Sequence, residues 1–219
     1  LSENETNAGI TRLTANALVR GTASRSREDI SRTVDSLGGS LSPFSGLNSF
    51  GLRARCLSAD VKTFMALAAE CILQPSFPEE EVVRQRQIQL AEIEEQSEKP
   101  FDMARRALEE ALFPNHPYRW DPLGTPGSVE GLTGDDLAKH LQQLRSAGSM
   151  TVCIAGDIDP AEARRLAEKS LGKVKDIGAA PDTPPAPDPE LPARRETVAP
   201  KEQAVLLVGV PGVSVGDPR

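Results

Sequence analysis

Few side chains in this sequence could do chemistry, and their spacing disfavours most catalytic arrangements. No Gly-x-Ser-x-Gly turn is present, and no cysteine has a basic partner apparent in the sequence. Nucleophilic catalysis is therefore not indicated. Residues 210–216 are rich in glycine and valine but lack the Lys-Ser/Thr ending of a phosphate-binding loop. The sequence thus offers no complete motif for acyl or phosphoryl transfer.

The cysteines and histidines favour structural roles. Cys56, Cys71 and Cys153 are odd in number, lack Cys-x-x-Cys spacing and lie in apolar runs, so we expect buried thiols rather than ligands or disulfides. His116 lies in an Asn-His-Pro-Tyr turn, where a structural hydrogen bond is favoured over catalysis. His140 lies on an amphipathic segment and is expected at the flank or core of a helix.

Composition limits the partners. With 219 residues, of which 38% are hydrophobic, the chain can bury a core. A net charge of -7 offers no basic surface for a phosphate backbone, so nucleic acid is not an expected partner. The longest strongly apolar run, residues 204–210, is far shorter than the ~20 residues of a membrane-spanning helix. The acidic run 79–81 is typical of a solvated helix start; attraction of basic peptides is the alternative.

The ends of the sequence suggest a piece of a longer protein. The chain begins at Leu1, without an initiator methionine or a signal-like segment, and its last residues follow a strand-like run. We therefore expect a fragment. The compartment stays open, because bacterial cytoplasm and periplasm are both compatible with this sequence.

Apolar spacing predicts the elements that position these residues. Helices are expected over residues 9–20 and from Ser26 to about 37, followed by a hairpin around Gly46-Leu47-Asn48. After Asp60 as N-cap, a core-facing stripe is formed by Val61, Phe64, Met65, Ala68 and Ile72. Further helices are predicted over 79–98 after Pro78, over 101–112, around Leu137, Leu141 and Leu144, and after Asp159-Pro160.

The last third of the chain predicts a change of organisation. Residues 150–155 are uninterruptedly apolar or β-branched, which is typical of a strand covered on both faces. Residues 176–202 are rich in proline, which predicts a linker, and residues 203–210 resemble the first strand of a following domain. The order of elements predicts an α+β fold, with helices on one face of a largely antiparallel sheet.

Six segments in register resemble one family. Residues 9–22 have the framing of Gly-x-x-His-x-x-Glu-His followed by Gly-Thr, and residues 37–42, 72–80, 112–118, 123–125 and 155–157 follow in the same order. Over residues 9–172 the chain resembles the pitrilysin/insulinase family of zinc metallopeptidases, which carry an inverted zinc-binding motif. The resemblance implies a domain at 1–175 in which the family's first strand is not matched, a linker at 176–202, and the truncated start of a homologous domain at 203–219.

The departure from the motif bears on function. In peptide-cleaving members the two histidines bind zinc and the glutamate acts as general base. Here those positions hold Arg12, Ala15 and Asn16, and the family's third ligand corresponds to Glu92, with Glu94 and Glu95 nearby. These residues supply no catalytic group and no metal site, because guanidinium cannot ligate zinc and alanine has no base. We hypothesise that Arg12 and Glu92 form an ion pair; the alternative is that Arg12 and Asn16 are ordinary helix-surface residues.

The resemblance implies a role beside an active partner. One of the family's two similar halves commonly lacks zinc ligands and contributes substrate binding and chamber wall. The expected partners are a catalytic subunit or repeat that carries the zinc, in a homo- or heterodimer or in one polypeptide, and an extended, unfolded peptide. The alternative is a structural or scaffold homologue without proteolysis.

Overall fold

The computed structural model describes residues 3–145, 147–175, 194–198, 200 and 202–212. Within these residues two α-helices precede a two-stranded antiparallel sheet, and six α-helices follow it. The elements are α1 (Ile10–Ala17), α2 (Arg27–Ser36), β1 (Ser40–Ser45), β2 (Phe50–Arg55), α3 (Val61–Leu73), α4 (Glu79–Glu98), α5 (Pro100–Leu112), α6 (Pro126–Val129), α7 (Gly134–Leu144) and α8 (Pro160–Leu171). The α+β class is confirmed. None of the described helices is long and apolar enough to cross a membrane.

Local side-chain chemistry sets where several helices begin. The Ser26 hydroxyl accepts a hydrogen bond from the backbone N–H of Asp29, and the Asp29 carboxylate accepts one from the backbone N–H of Ser26, so the predicted cap of α2 is confirmed. Asp159 likewise caps α8 by accepting from the N–H groups of Ala161 and Glu162. Asp60 occupies the N-cap position of α3 but makes no capping hydrogen bond. Its predicted capping role is therefore wrong, because a short 3-10 turn (Ser58–Asp60) leads directly into the helix.

The predicted hairpin is confirmed. β1 and β2 pair from Ser40 opposite Arg55 to Ser45 opposite Phe50, and the turn is closed by the N–H of Gly46, which donates to the carbonyl of Ser49 over 2.8 Å. Side chains alternate across this ribbon. Leu52 packs against both hydrophobic clusters, whereas the Arg53 guanidinium lies 5.6 Å from the Phe44 ring centroid.

Two apolar clusters lie against the Leu52 side of the ribbon. The first joins α1, α4 and α7 through Leu13, Val82 and Leu137, each fully buried. The second joins α2 and α3 through Ile30, Phe64 and Cys71. Helices therefore cover one face of the sheet, as the order of elements predicts.

The two strands predicted near the end of the chain are wrong. Residues 150–155 and 203–210 are assigned to no strand. Val152 is 42% exposed and Leu206 is 86% exposed, so neither run is covered as expected. Apolar composition indicates the capacity for a strand, but a strand also requires a neighbour that supplies backbone hydrogen bonds.

Two predictions of burial, for the apolar residues of α3 and for the cysteines, are also only partly correct. In the α3 stripe only Phe64 is buried, and the buried set is completed instead by Leu67, Ala69 and Cys71. The prediction of three buried cysteines holds for Cys71 but is wrong for Cys153, which is exposed within the uncovered 150–155 segment, while Cys56 is intermediate. Most of the segment predicted as a linker, residues 176–193, 199 and 201, lies outside the described residues.

Candidate functional site

The start of α1 is fixed by a carboxylate from outside the helix. Its N-cap is Gly9, with φ of 90° and no side chain to cap the first turn. Glu3 fills that role, because its two oxygens accept from the N–H groups of Gly9 over 3.0 Å and Thr11 over 2.8 Å. Negative charge at a helix start is also favoured by the helix dipole.

Tight packing fixes Gly9 and Gly124 against each other's loops. A Cβ on Gly9 would lie 2.5 Å from the Leu123 carbonyl oxygen, and one on Gly124 would lie 2.2 Å from the Ala8 carbonyl oxygen. Both residues have positive φ, of 90° and 78° respectively, which is the region that glycine tolerates best. The 121–125 loop therefore holds the N-terminal end of α1 at van der Waals distance.

α4 presents a polar stripe to this loop. Gln89, 1% exposed, donates from Nε2 to the carbonyl oxygens of Gly9 over 3.0 Å and Leu123 over 2.8 Å. Gln96 Nε2 donates to Asp121 Oδ2 over 2.8 Å. Sequence reasoning missed these positioning residues. The available signal was their spacing, because Gln89, Glu92 and Gln96 follow one another at i, i+3 and i+7 on one helix face.

Arg12 and Glu92 meet between α1 and α4. Arg12 Nη2 donates to Glu92 Oε2 over 2.7 Å, and Arg12 Nε donates to the same oxygen over 3.2 Å. The predicted ion pair is thus confirmed. The two side chains are 33% and 36% exposed, and partly exposed pairs of this kind contribute about 0–1 kcal/mol.

The other two positions of the aligned motif add no charge. Asn16 follows Arg12 by one helical turn and is half-buried, whereas Ala15 is fully buried. Ala15 is packed in the interior with no polar atom on its side chain, so it cannot hold a proton or a water molecule. Glu94 and Glu95 are exposed, and Glu95 pairs with Lys99 over 2.7 Å. Neither glutamate joins Glu92.

The donor set around Glu92 does not fit zinc. Tetrahedral zinc sites are built from about three or four thiolate, imidazole or carboxylate ligands, whereas one Glu92 oxygen here receives two guanidinium N–H bonds. Among the described residues, no group of three or more His, Cys, Asp or Glu side chains is placed to hold a metal ion. The chemistry open to these residues is charge pairing and hydrogen bonding.

Both histidines lie away from this pair. His116 Nδ1 accepts from the N–H of Tyr118 over 3.2 Å, which confirms its structural role. His140, 5% exposed, confirms the expected core position, and its Nε2 lies 2.9 Å from Thr11 Oγ1. Burial lowers the pKa of His140, although Glu3 opposes this effect. His140 therefore links α7 to α1 through the Thr11 hydroxyl.

The acidic run at residues 79–81 forms the first turn of α4. Glu79 and Glu80 are exposed, while Glu81 lies 3.2 Å from Arg27 and 3.7 Å from Arg84 between side-chain N and O atoms. The prediction of a solvated helix start is therefore confirmed for part of the run, whereas the Glu81 side chain is only 13% exposed.

Comparisons with known proteins place this geometry among peptidases. Residues 1–125 match the family described as Insulinase (Peptidase family M16), and residues 131–219 match the Peptidase M16 inactive domain. An uncharacterized zinc protease of Streptomyces coelicolor is 29% identical over 227 residues, covering 100% of this chain and 49% of that protein. One from Bacillus subtilis is 24% identical over 213 residues, covering 96% of this chain and 51% of that protein.

A solved structure with a similar fold carries the same family description. The crystal structure of a peptidase M16 inactive domain from Pseudomonas fluorescens superposes with a TM-score of 0.76 at 22% identity, over 85% of this chain and 47% of that one. The chain spans about half the length of the two zinc proteases it matches. Because the insulinase match covers more than half of its residues, this chain belongs to the insulinase (M16) family of peptidases.

Proposed function

We propose that this chain is part of a noncatalytic half of an M16-type peptidase. It would bind extended, unfolded peptides and form part of the chamber wall, while an active repeat or subunit supplies the zinc. The observation that carries this proposal is the Arg12–Glu92 pair, with 2.7 Å between Nη2 and Oε2. A permanently charged guanidinium in contact with the one remaining carboxylate is incompatible with zinc coordination there.

A half without zinc can still contribute to catalysis. Holding a flexible peptide so that its scissile bond meets a metal on another domain converts an encounter between two molecules into a positioned one. The rigid setting of α1 supports such a wall, because Glu3, Gln89 and the 121–125 loop fix it from three directions. This chain would lower the barrier by orientation and supply no acid, base or nucleophile.

The domain boundaries belong to the same proposal. We assign residues 1–175 to one domain, 176–202 to a linker and 203–219 to the start of a second, homologous domain. The support is compositional, since seven prolines fall between Pro181 and Pro200, and proline-rich segments are extended spacers rather than packed cores. Limited proteolysis should cut first between 176 and 202 and leave a stable product containing residues 1–175.

A scaffold homologue without proteolysis is the second candidate. It is favoured by the same absence of zinc ligands at positions 12, 15 and 16, which says nothing about whether a catalytic partner exists. The parent reading frame and its neighbours separate the two candidates, because only the peptidase half requires an intact His-x-x-Glu-His repeat nearby.

The biochemical test uses the full-length protein and the candidate zinc-bearing partner. Cleavage of a quenched fluorescent peptide is measured with each protein alone and with both together, with and without a chelator. We expect cleavage by the mixture, abolished by chelation, and none by this protein when its polypeptide carries no intact repeat. Chelator-sensitive cleavage that depends on Glu92 would refute the noncatalytic assignment, whereas a silent mixture would favour the scaffold.

A further inference from the structure

We draw no further inference here: the strongest candidate, the cluster of Arg20, Arg27 and Arg84 around Glu81 where α1 ends and α2 and α4 begin, carries nothing, because Glu81 already pairs with Arg27 and Arg84, its exposed neighbours Glu79 and Glu80 add opposing charge, and nothing in the structure shows what would bind there.

Discussion

The contact between α1 and α4 and the groove beside β2 contrast in how closely their side chains are covered. At the first, Gln89 bonds two backbone carbonyls and Arg12 bonds Glu92, so the chain closes on itself. At the second, β2, α3 and residues 150–155 line a space of about 860 Å³. The first region is closed by polar contacts between its own side chains and backbone, whereas the second is open and lined largely by apolar side chains.

The two regions also differ in what fills them. An arginine beside Glu92 takes the place that a metal ion would need, and this costs little stability because both side chains remain partly hydrated. The apolar side chains of α3 that line the groove, Met65, Ala68 and Ile72, are only partly buried.

Histidines at positions 12 and 16 should create a metal site between α1 and α4. In the Arg12→His/Asn16→His variant, two histidines one turn apart face Glu92, which provides the three protein ligands of an open zinc site. We expect this variant to bind one Co²⁺ or Zn²⁺ per chain, detected by the Co²⁺ absorption spectrum, and the wild type to bind none at this position.

The matched control adds Glu92→Gln to the same variant. Binding should then weaken strongly, because one anionic ligand is lost. Equal affinity with and without Glu92 would show that the α1 and α4 positions do not converge on one ion.

Cys71 and Cys153 should react at different rates, because the first is buried and the second is exposed. Burial, assisted by the charge of Glu70, raises the pKa of Cys71 to about 12, so its thiolate, the reactive form, is scarce at pH 8. Cys153 lies exposed in the groove wall. We expect iodoacetamide to modify Cys153 at least ~100-fold faster than Cys71 in the folded chain, as followed by peptide mass spectrometry. Similar rates would mean that residues 150–155 are covered.

Leu13 and Leu206 should differ in their contribution to the free energy of unfolding, because the first is buried and the second is exposed. Leu13→Ala removes a fully buried side chain from the first cluster, which should cost about 3 kcal/mol in the free energy of unfolding. Leu206→Ala makes the same change at a side chain that is 86% exposed, where we expect less than about 0.5 kcal/mol. Urea denaturation measures both. A comparable loss for Leu206→Ala would place the 203–210 segment in a packed core.

The sequence predicts elements whose signals are local. Ser26 and Asp29 specify the start of α2 three residues apart, and Gly46 marks the hairpin turn, so both were found. The fold class follows from the order of such elements. The strand predicted at residues 150–155 is wrong because a strand depends on a partner distant in sequence, which composition does not reveal.

At the site, the same division holds. Arg12 and Glu92 are 80 residues apart, and their pairing was reached through the family resemblance rather than through spacing. The contacts of Gln89 were missed because its acceptors are backbone carbonyls at Gly9 and Leu123, which no side-chain motif marks. The apolar residues of α3 recur with the period of a helix, but this period does not show which of them another element covers.

A pH dependence should arise from the link between α1 and α7. Burial lowers the pKa of His140 below its ordinary value of 6.5, so the unfolded chain binds more protons than the folded one below that pH. Stability should therefore fall as the pH falls through 6.5, by at most about 1.4 kcal/mol per pH unit from this group. Burial lowers the pKa of His116 in the same direction. The measurement is therefore the difference between wild type and His140→Gln, which should shrink on acidification.

The Arg12–Glu92 pair should give the smallest effect. A double-mutant cycle of Arg12→Gln, Glu92→Gln and the combined variant isolates its coupling energy. Because the side chains are 33% and 36% exposed, we expect about 1 kcal/mol or less, reduced further by 1 M salt. A coupling above about 2 kcal/mol that salt leaves unchanged would mean that the pair is desolvated. A small value would mean that α1 depends little on this pair, because the guanidinium needs only to neutralise Glu92 in a place that water still reaches.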